Sequence, residues 1–407
     1  MSSDGPLSGV RVFDLSRILA GPTATQVLGD LGADVIKVER PDQGDDTRGW
    51  GPPYVRDGDG RDTTESAYYL VANRNKRSLT LNLAEAEGQA LARRLIAGSD
   101  VLVENFKVGG LARYGLGYDQ LQADFPRLIY CSITGFGQDG PYASRAGYDF
   151  LAQGMGGIMS VTGERDGPPM KVGVAIADIM CGMYAVIAVQ AALRHRDATG
   201  QGQHIDLSLL DTQVAWLMNQ ASNYLVSGEA PGRLGNEHPN IVPYRVFATA
   251  DGYIILAVGN DGQFTRFCAA AGLDGLAQDA RFASNRARVE NRQGLNDAIE
   301  RRTRQRTTAD WLATLEAAGV PCGPVNDMAQ VFADPQVRAR HMRLDMAHPL
   351  AGGGTVPLVA SPMHLSRTPV TYRHAPPVLG QHTDEILTQD LGLSGDEIAG
   401  LRERGIV

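Results

Sequence analysis

Along its N-terminal third the chain switches repeatedly between two spacings of apolar residues. VRVFDLS (Val10–Ser16) and DVIKVER (Asp34–Arg40) are short apolar runs suited to central strands. Between them PTATQVLGDLGA (Pro22–Ala33) has helical spacing, with Pro22 predicted at a first helical position. The alternation recurs. SLTLNL is followed by a helix over Glu85–Ala97 and by DVLVENF (Asp100–Phe106), then by a helical Tyr118–Phe125 and the strand RLIYCSITGFG. Apolar strands separated by single helices predict an α/β fold with a mostly parallel sheet covered on both faces. Right-handed crossovers then gather the loops after the strands, RILAGP, ERPDQGD, ENFKVGG and TGFGQDGPY, at one end of the sheet.

Further on, Asp178 precedes a long apolar helix, which is followed by the strand HIDLSLLD and a single helix over Asp211–Ser227. The texture changes at SGEAPGRLGNEHPN, a turn-rich linker, and YRVFATADGYIILAVG reads as a hairpin turning at Ala250–Gly252. The predicted division is a large domain over residues 1–227, a small one over 228–332, and a return to the large domain over 333–407 that ends in an extended segment and two helices.

Composition narrows the partners. At 407 residues the chain exceeds the usual size of one core, consistent with two domains. Hydrophobic and charged contents of 43% and 21% are those of an ordinary globular protein, and a formal charge of -8 argues against nucleic acid or an anionic membrane as the main partner. The start MSSDGPLSGV lacks the basic and apolar regions of a leader, and no apolar run approaches a membrane span. Cys131, Cys181, Cys268 and Cys322 form no C-x-x-C, and the histidines are scattered. A cytoplasmic protein without a metal is expected.

Several stretches carry candidate chemistry. RILAGP lacks the G-x-G-x-x-G of a dinucleotide site, which undercuts a nicotinamide-dependent oxidoreductase. Glu39 beside Arg40 offers a ribose and phosphate contact, or more plainly a surface ion pair. NRNKR (Asn73–Arg77) packs three cations into five residues, either a solvated face or a phosphate contact. ENF (Glu104–Phe106) places an amide and an aromatic ring at a strand end. GYDFLAQGMGG (Gly147–Gly157) carries Tyr148 and Asp149 into glycines that permit close backbone approach. In GVAIADIMCGMYA, Asp178 is expected to be a helix N-cap with Cys181 at the third helical position, or else a buried nucleophilic carboxylate that the helix end keeps ionised.

In this order, VRVFDLSRILAGP, GADVIKVERP, NRNKRSLTLNL, ENFKVGGLARYGLGY, AGYDFLAQGMGG, VAIADIMCGMYA and TGQGQHIDLSLLD resemble the class III coenzyme A transferases, the family of formyl-CoA transferase and carnitine CoA-transferase, together with the related alpha-methylacyl-CoA racemases. The resemblance runs over essentially the whole chain. It implies a Rossmann-like large domain built from both termini, a smaller α+β domain and an interlocked homodimer. It also implies coenzyme A and acyl-CoA as substrates, a carboxylic acid acceptor and no tightly bound cofactor. By the same match Asp178 is the catalytic aspartate, with Tyr148 and Asp149 near the reacting acyl group. Ile18, Ala20, Arg40, Lys76, Asn105, Phe106 and Arg113 fall at coenzyme A contacts, and Arg40, Lys76 and Arg113 are expected at its phosphates. Backbone N–H groups near Gly154–Gly157 are candidate oxyanion donors.

Two departures shape the expected chemistry. Leu19 stands where the formyl-CoA branch has Gln, and GNDGQ (Gly259–Gln263) replaces that branch's four-glycine loop. Tyr148 stands where the racemase branch has His, and a phenol of ordinary pKa near 10 is a poor base at neutral pH, which disfavours the alternative racemase-type isomerase. GNEHPNIVPY and AVGNDGQF most resemble the branch that uses succinyl-CoA and other dicarboxylic acids.

Overall fold

Six short strands form one parallel sheet: β1 (Arg11–Asp14), β2 (Asp34–Glu39), β3 (Lys76–Thr80), β4 (Val101–Glu104), β5 (Ile129–Thr134) and β6 (His204–Ser208). The computed structural model describes residues 5–407, so the first four positions of the segment read for a leader lie outside it. Strand order is β3-β2-β1-β4-β5-β6, with all five pairings parallel. The order reverses between β1 and β4. That is the topological switch point, where the loops beyond two neighbouring strands diverge and leave a crevice.

The strands read as continuous apolar runs because both faces are covered. On one face Val12, Val35, Val101, Ile129 and Cys131 pack against α1 (Ala20–Asp30) and the long helix Ile176–Thr199, through Ala24, Leu28, Ala177, Cys181 and Ala185. On the other, Phe13, Ile36, Leu79, Leu102 and Tyr130 meet Leu91 and Leu95 of α2 (Ala86–Ala97) and Ile386, Leu387, Ile398 and Leu401 from the last two helices. The C-terminal segment thus completes the core begun by the N-terminal one.

One compact unit comprises Met1–Gly157, Val172–Trp216 and Arg338–Val407; a second comprises Ile158–Lys171 and Leu217–Val337. The second unit therefore takes in more chain than the expected 228–332. It holds a three-stranded antiparallel sheet of Tyr244–Ala248, Tyr253–Ala257 and Cys322–Pro324, with Phe247, Leu256, Phe267, Leu295, Ile299 and Trp311 in its core. The helix expected over Asp211–Ser227 is two helices, Leu209–Ala215 and Met218–Ser227. The break falls beside Met218, whose φ is +45°, and coincides with the boundary between the units.

Two helix starts differ from expectation. α1 begins at Ala20, which places Pro22 third rather than first in the helix. Proline is tolerated there because the early N–H groups of a helix have no intrahelical partner. The helix Ile176–Thr199 begins ahead of Asp178, and with a mean hydropathy of 1.8 it is long and apolar enough to cross a membrane by length and composition. This corrects the expectation that no run approaches that length. Here its apolar side closes the sheet's core through Ala177, Cys181, Ala185 and Val189.

Candidate functional site

The crevice at the switch point is built from the loops after β1 and β4. Beyond β1, Asp14 is fully buried and accepts hydrogen bonds from the Ser16 backbone N–H and hydroxyl and from the Thr25 hydroxyl, which fixes the turn. The turn is latched to the end of β4 by a reciprocal pair. The Arg17 N–H donates to Asn105 Oδ1 at 2.9 Å, and Asn105 Nδ2 donates to the Arg17 carbonyl at 2.7 Å. Ile18 then adopts φ +72°, a strained conformation for a β-branched residue, while its N–H faces the Asp45 carboxylate at 3.3 Å. The Phe106 N–H is held at 2.8 Å by Glu104 Oε2. Ile18, Ala20, Asn105, Phe106 and Arg113 line the resulting cavity of about 450 Å³.

Tyr148 and Asp178 line the same cavity. Tyr148 and Asp149 arrive there because Gly135 and Gly147 touch backbone to backbone; a Cβ on Gly135 would lie 2.5 Å from the Gly147 Cα. The start of Ile176–Thr199 reaches the start of α1 because Gly182 has no Cβ, which would sit 2.7 Å from the Ala20 carbonyl oxygen. Two helix N-termini therefore converge on the cavity, where their N–H groups favour anionic groups.

Asp178 is not the cap of its helix. The N-cap is Ala175, which puts Asp178 at the third helical position, and the capping is supplied from elsewhere: Asp149 Oδ1 accepts the N–H of Ala177 at 2.8 Å and of Asp178 at 3.4 Å. Asp149 Oδ2 in turn accepts from the Gln153 amide at 2.7 Å. The Asp178 carboxylate is consequently left without a hydrogen bond from any described residue. Burial, followed by the negative charge of Asp149, pushes its pKa up to about 7. The expectation that the helix end keeps Asp178 fully ionised is corrected, because desolvation outweighs it. Tyr68 lies in the same field: burial and then the charges of Asp178 and Asp149 raise its phenol.

Arg40 is exposed and lines a separate depression of about 280 Å³ with Asn82, Leu83 and Tyr114; Arg17 and Phe106 border both spaces. Lys76 is a correction. It is fully buried and its Nζ donates to Pro22 O at 2.9 Å, Asn73 Oδ1 at 3.0 Å and Asp14 Oδ2 at 3.2 Å, which leaves it nothing to offer a phosphate. All three cations of NRNKR are buried against carboxylates, Arg74 on Asp30 and Arg77 on Asp34, so the stretch is neither a solvated face nor a phosphate site. Glu39 likewise faces inward and pairs with Arg48 at 2.8 Å, not with a ribose or a surface cation.

The Gly154–Gly157 stretch does not offer a row of open donors: the Gly156 N–H donates to the Ala152 carbonyl at 2.7 Å and Gly157 to Gly154 at 3.4 Å. Arg17, Lys107 and Arg145 also line the cavity. Arg17 and Lys107 stand in RILAGP and ENFKVGG and are legible there as strand-end residues. Nothing in the pattern of the chain marked Tyr68. Among the described residues there is no group of three His, Cys, Asp or Glu side chains poised to hold a metal.

The sequence profile of the CoA-transferase family III matches residues 7–383. Succinate–glutarate CoA-transferase of Agrobacterium fabrum is 53% identical over 94% of this chain and 95% of its own length. Human succinyl-CoA:glutarate CoA-transferase is 44% identical over 100% of this chain and 91% of its own. Among solved structures, a CAIB/BAIF family protein from Brucella suis superposes with a TM-score of 0.83 at 52% identity, covering 95% of this chain and 99% of that one. The chain belongs to CoA-transferase family III and is a CoA-transferase.

Proposed function

We propose that this enzyme moves coenzyme A from succinyl-CoA to a dicarboxylic acid acceptor such as glutarate, with Asp178 as the covalent carrier. The observation that carries the reading is a buried carboxylate with neither a hydrogen-bond donor nor an offsetting cation, facing the switch-point cavity. A carboxylate of raised basicity is a better nucleophile toward a thioester than an ordinary one.

Asp178 Oδ bonds to the donor acyl carbon, the C–S bond breaks, and the coenzyme leaves as thiolate, giving a mixed anhydride. The thiolate attacks Asp178 Cγ, forming an aspartyl thioester and releasing the donor acid as carboxylate. The acceptor carboxylate attacks the same Cγ, expelling thiolate and forming a second anhydride. Thiolate then attacks the acceptor acyl carbon and frees Asp178. A thiol with a pKa near 8.5 is a good leaving group, and it must stay beside the anhydride before water arrives. Contacts along Asn105, Phe106, Arg113 and Arg40 hold the coenzyme for that return. Asp149 acts as a positioning residue by capping the turn that carries Asp178.

The acid pair is supported by the relatives, which are transferases of succinate and glutarate; a racemase mechanism finds no His at Tyr148. The exposed apolar side chains Tyr184 and Ile187 on one helix, and Leu225 and Val226 on another, support a contact with a second copy of this chain, and the family resemblance supports an interlocked homodimer. The cytoplasm remains the proposed location.

The test is hydroxylamine or borohydride trapping after incubation with succinyl-CoA, with the label mapped by mass spectrometry. Label on Asp178 and loss of exchange in Asp178→Ala are expected. Label elsewhere, full activity in that variant, or alpha-proton exchange without an acceptor overturns the reading. Because the nucleophile is the ionised form, kcat/KM is expected to rise with pH through about 7.

A further inference from the structure

We propose that Arg145 reads the distal carboxylate of the dicarboxylate, and so sets the enzyme's preference for acids with two carboxylates over acids with one. The inference rests on the CoA-transferase reading above and deepens it at the same cavity.

A four- or five-carbon diacid bound with one carboxylate at Asp178 leaves its second carboxylate inside a space of about 450 Å³. An anion that loses part of its water there is stabilised by a cation or hydrogen-bond donors, and exposed side chains such as Tyr148 leave the rest of it solvated. Four cations line the cavity: Arg17, Lys107, Arg113 and Arg145. Arg17 is engaged with Asp46 at 2.9 Å. Lys107 and Arg113 belong to the segment after β4, beyond Phe106, on the side of the coenzyme contacts. Arg145 stands three residues before Tyr148, on the loop that delivers Tyr148 and Asp149 to the reacting end.

The guanidinium of Arg145 is also prepared for such a role. It lies over the rings of Tyr142 and Phe136, 4.7 and 5.1 Å from their centroids, contacts that orient its plane without consuming its N–H donors. Among the described residues it has no carboxylate partner, so its planar fork is open to a bidentate carboxylate. Arg233 is spent: its Nε donates to the Glu164 carbonyl at 3.2 Å and its Nη2 to the Gly167 carbonyl at 2.6 Å.

The experiment compares Arg145→Ala and Arg145→Lys with the wild-type enzyme. It measures kcat and KM for succinate and glutarate against butyrate and valerate as acceptors, and the Kd of desulfo-CoA by calorimetry. In Arg145→Ala the diacid-to-monoacid ratio of kcat/KM is expected to fall about 10- to 100-fold, chiefly through the KM of the diacid. Lysine, which keeps the charge but not the fork, is expected to restore part of that ratio. An equal loss for both acid classes, an unchanged ratio, or a desulfo-CoA Kd that weakens in parallel overturns the assignment and places Arg145 in folding or coenzyme binding. Absence of exchange with every acid in the wild-type enzyme sinks the underlying function instead, and the two failures are thereby separated.

Discussion

Two groups of buried carboxylates, one beneath the β1 turn and one at the cavity, show how similar burial yields opposite chemistry. Beneath the turn, burial alone raises the pKa of Asp14, Glu39 and Asp45, but neighbouring cations more than offset it: Lys76 and Lys37 for Asp14, Arg48 for Glu39, and Lys37 for Asp45, which falls to about 2. At the cavity Asp178 has a carboxylate, Asp149, as its charged neighbour, and it rises to about 7. The first group holds the fold; the second, on the proposed function, is the one that reacts. Burial concentrates electrostatics, and between these two sites the neighbouring charge decides which use is made of it; at Asp30 and Glu65, paired with Arg74 and Arg48, desolvation still outweighs the cation and the pKa stays raised.

The strongest way to break this comparison is to remove a cation from the first group. Lys76→Met leaves Asp14 in the core with one of its two cations, a loss expected to cost about 3–5 kcal/mol of stability by denaturant titration. A double substitution with Asp14→Asn is expected to recover much of it. A stable Lys76→Met enzyme whose sole defect is a raised KM for acyl-CoA restores Lys76 to the phosphate site and removes the contrast.

Taking the charge from the second group has the opposite sign. The folded-state pKa of Asp178 lies above its unfolded value, so the fold holds an extra proton between roughly pH 4 and 7 and loses stability as pH rises through that window. Asp178→Asn is expected to abolish exchange yet stabilise the protein at pH 8, by at most about 4 kcal/mol at 1.4 kcal/mol per unit, with the gain gone near pH 3.5. Destabilisation at pH 8 contradicts an uncompensated buried carboxylate there.

Glu104 tests whether the rule extends beyond the site. It is buried, with hydrogen bonds from Ser132 and the Phe106 N–H but no cation, and desolvation pushes it up to about 7. Glu104→Gln retains an acceptor for Phe106 and removes the titration. Melting curves across pH are expected to show the wild type losing, between pH 4.5 and 7, stability of at most about 3 kcal/mol that the variant does not lose. Parallel profiles count against the rule.

The sheet was legible because strands buried on both faces write themselves as apolar runs: five of the six lie within the stretches read that way, and β3 starts two residues before SLTLNL, at Lys76 in the cationic run. Their order was not, since the pairing of β1 with β4 joins residues separated by two other strands. Partners distant along the chain hid the site's electrostatics for the same reason. Lys76 meets a carboxylate 62 residues away, and the cap of the helix that carries Asp178 comes from Asp149, 28 residues before the N–H it accepts. A run of cations such as NRNKR reveals its charge but not its partners. Asp178 was recognisable as a singular residue, while its place at the third helical position came only with the fold, and its raised pKa followed from its burial and, second, from where Asp149 lands.

The smallest expected effect falls on cations outside both buried groups. Arg40 and Arg113 are exposed and have no carboxylate partner among the described residues; Arg40 meets only the Gln43 amide, at 2.6 Å. With no buried anion to leave behind, Arg113→Ala and Arg40→Ala are expected to change stability by less than about 0.5 kcal/mol. If they hold the phosphates of the coenzyme, each substitution raises the KM for acyl-CoA about tenfold and flattens its dependence on salt, with kcat largely kept. The same arginine-to-alanine change at Arg74, whose guanidinium is buried on Asp30, is expected to do the reverse and lower the melting temperature. If Arg113→Ala behaved like Arg74→Ala, the absence of a carboxylate partner would no longer distinguish a ligand cation from a structural one, and the groove would have to be reassigned.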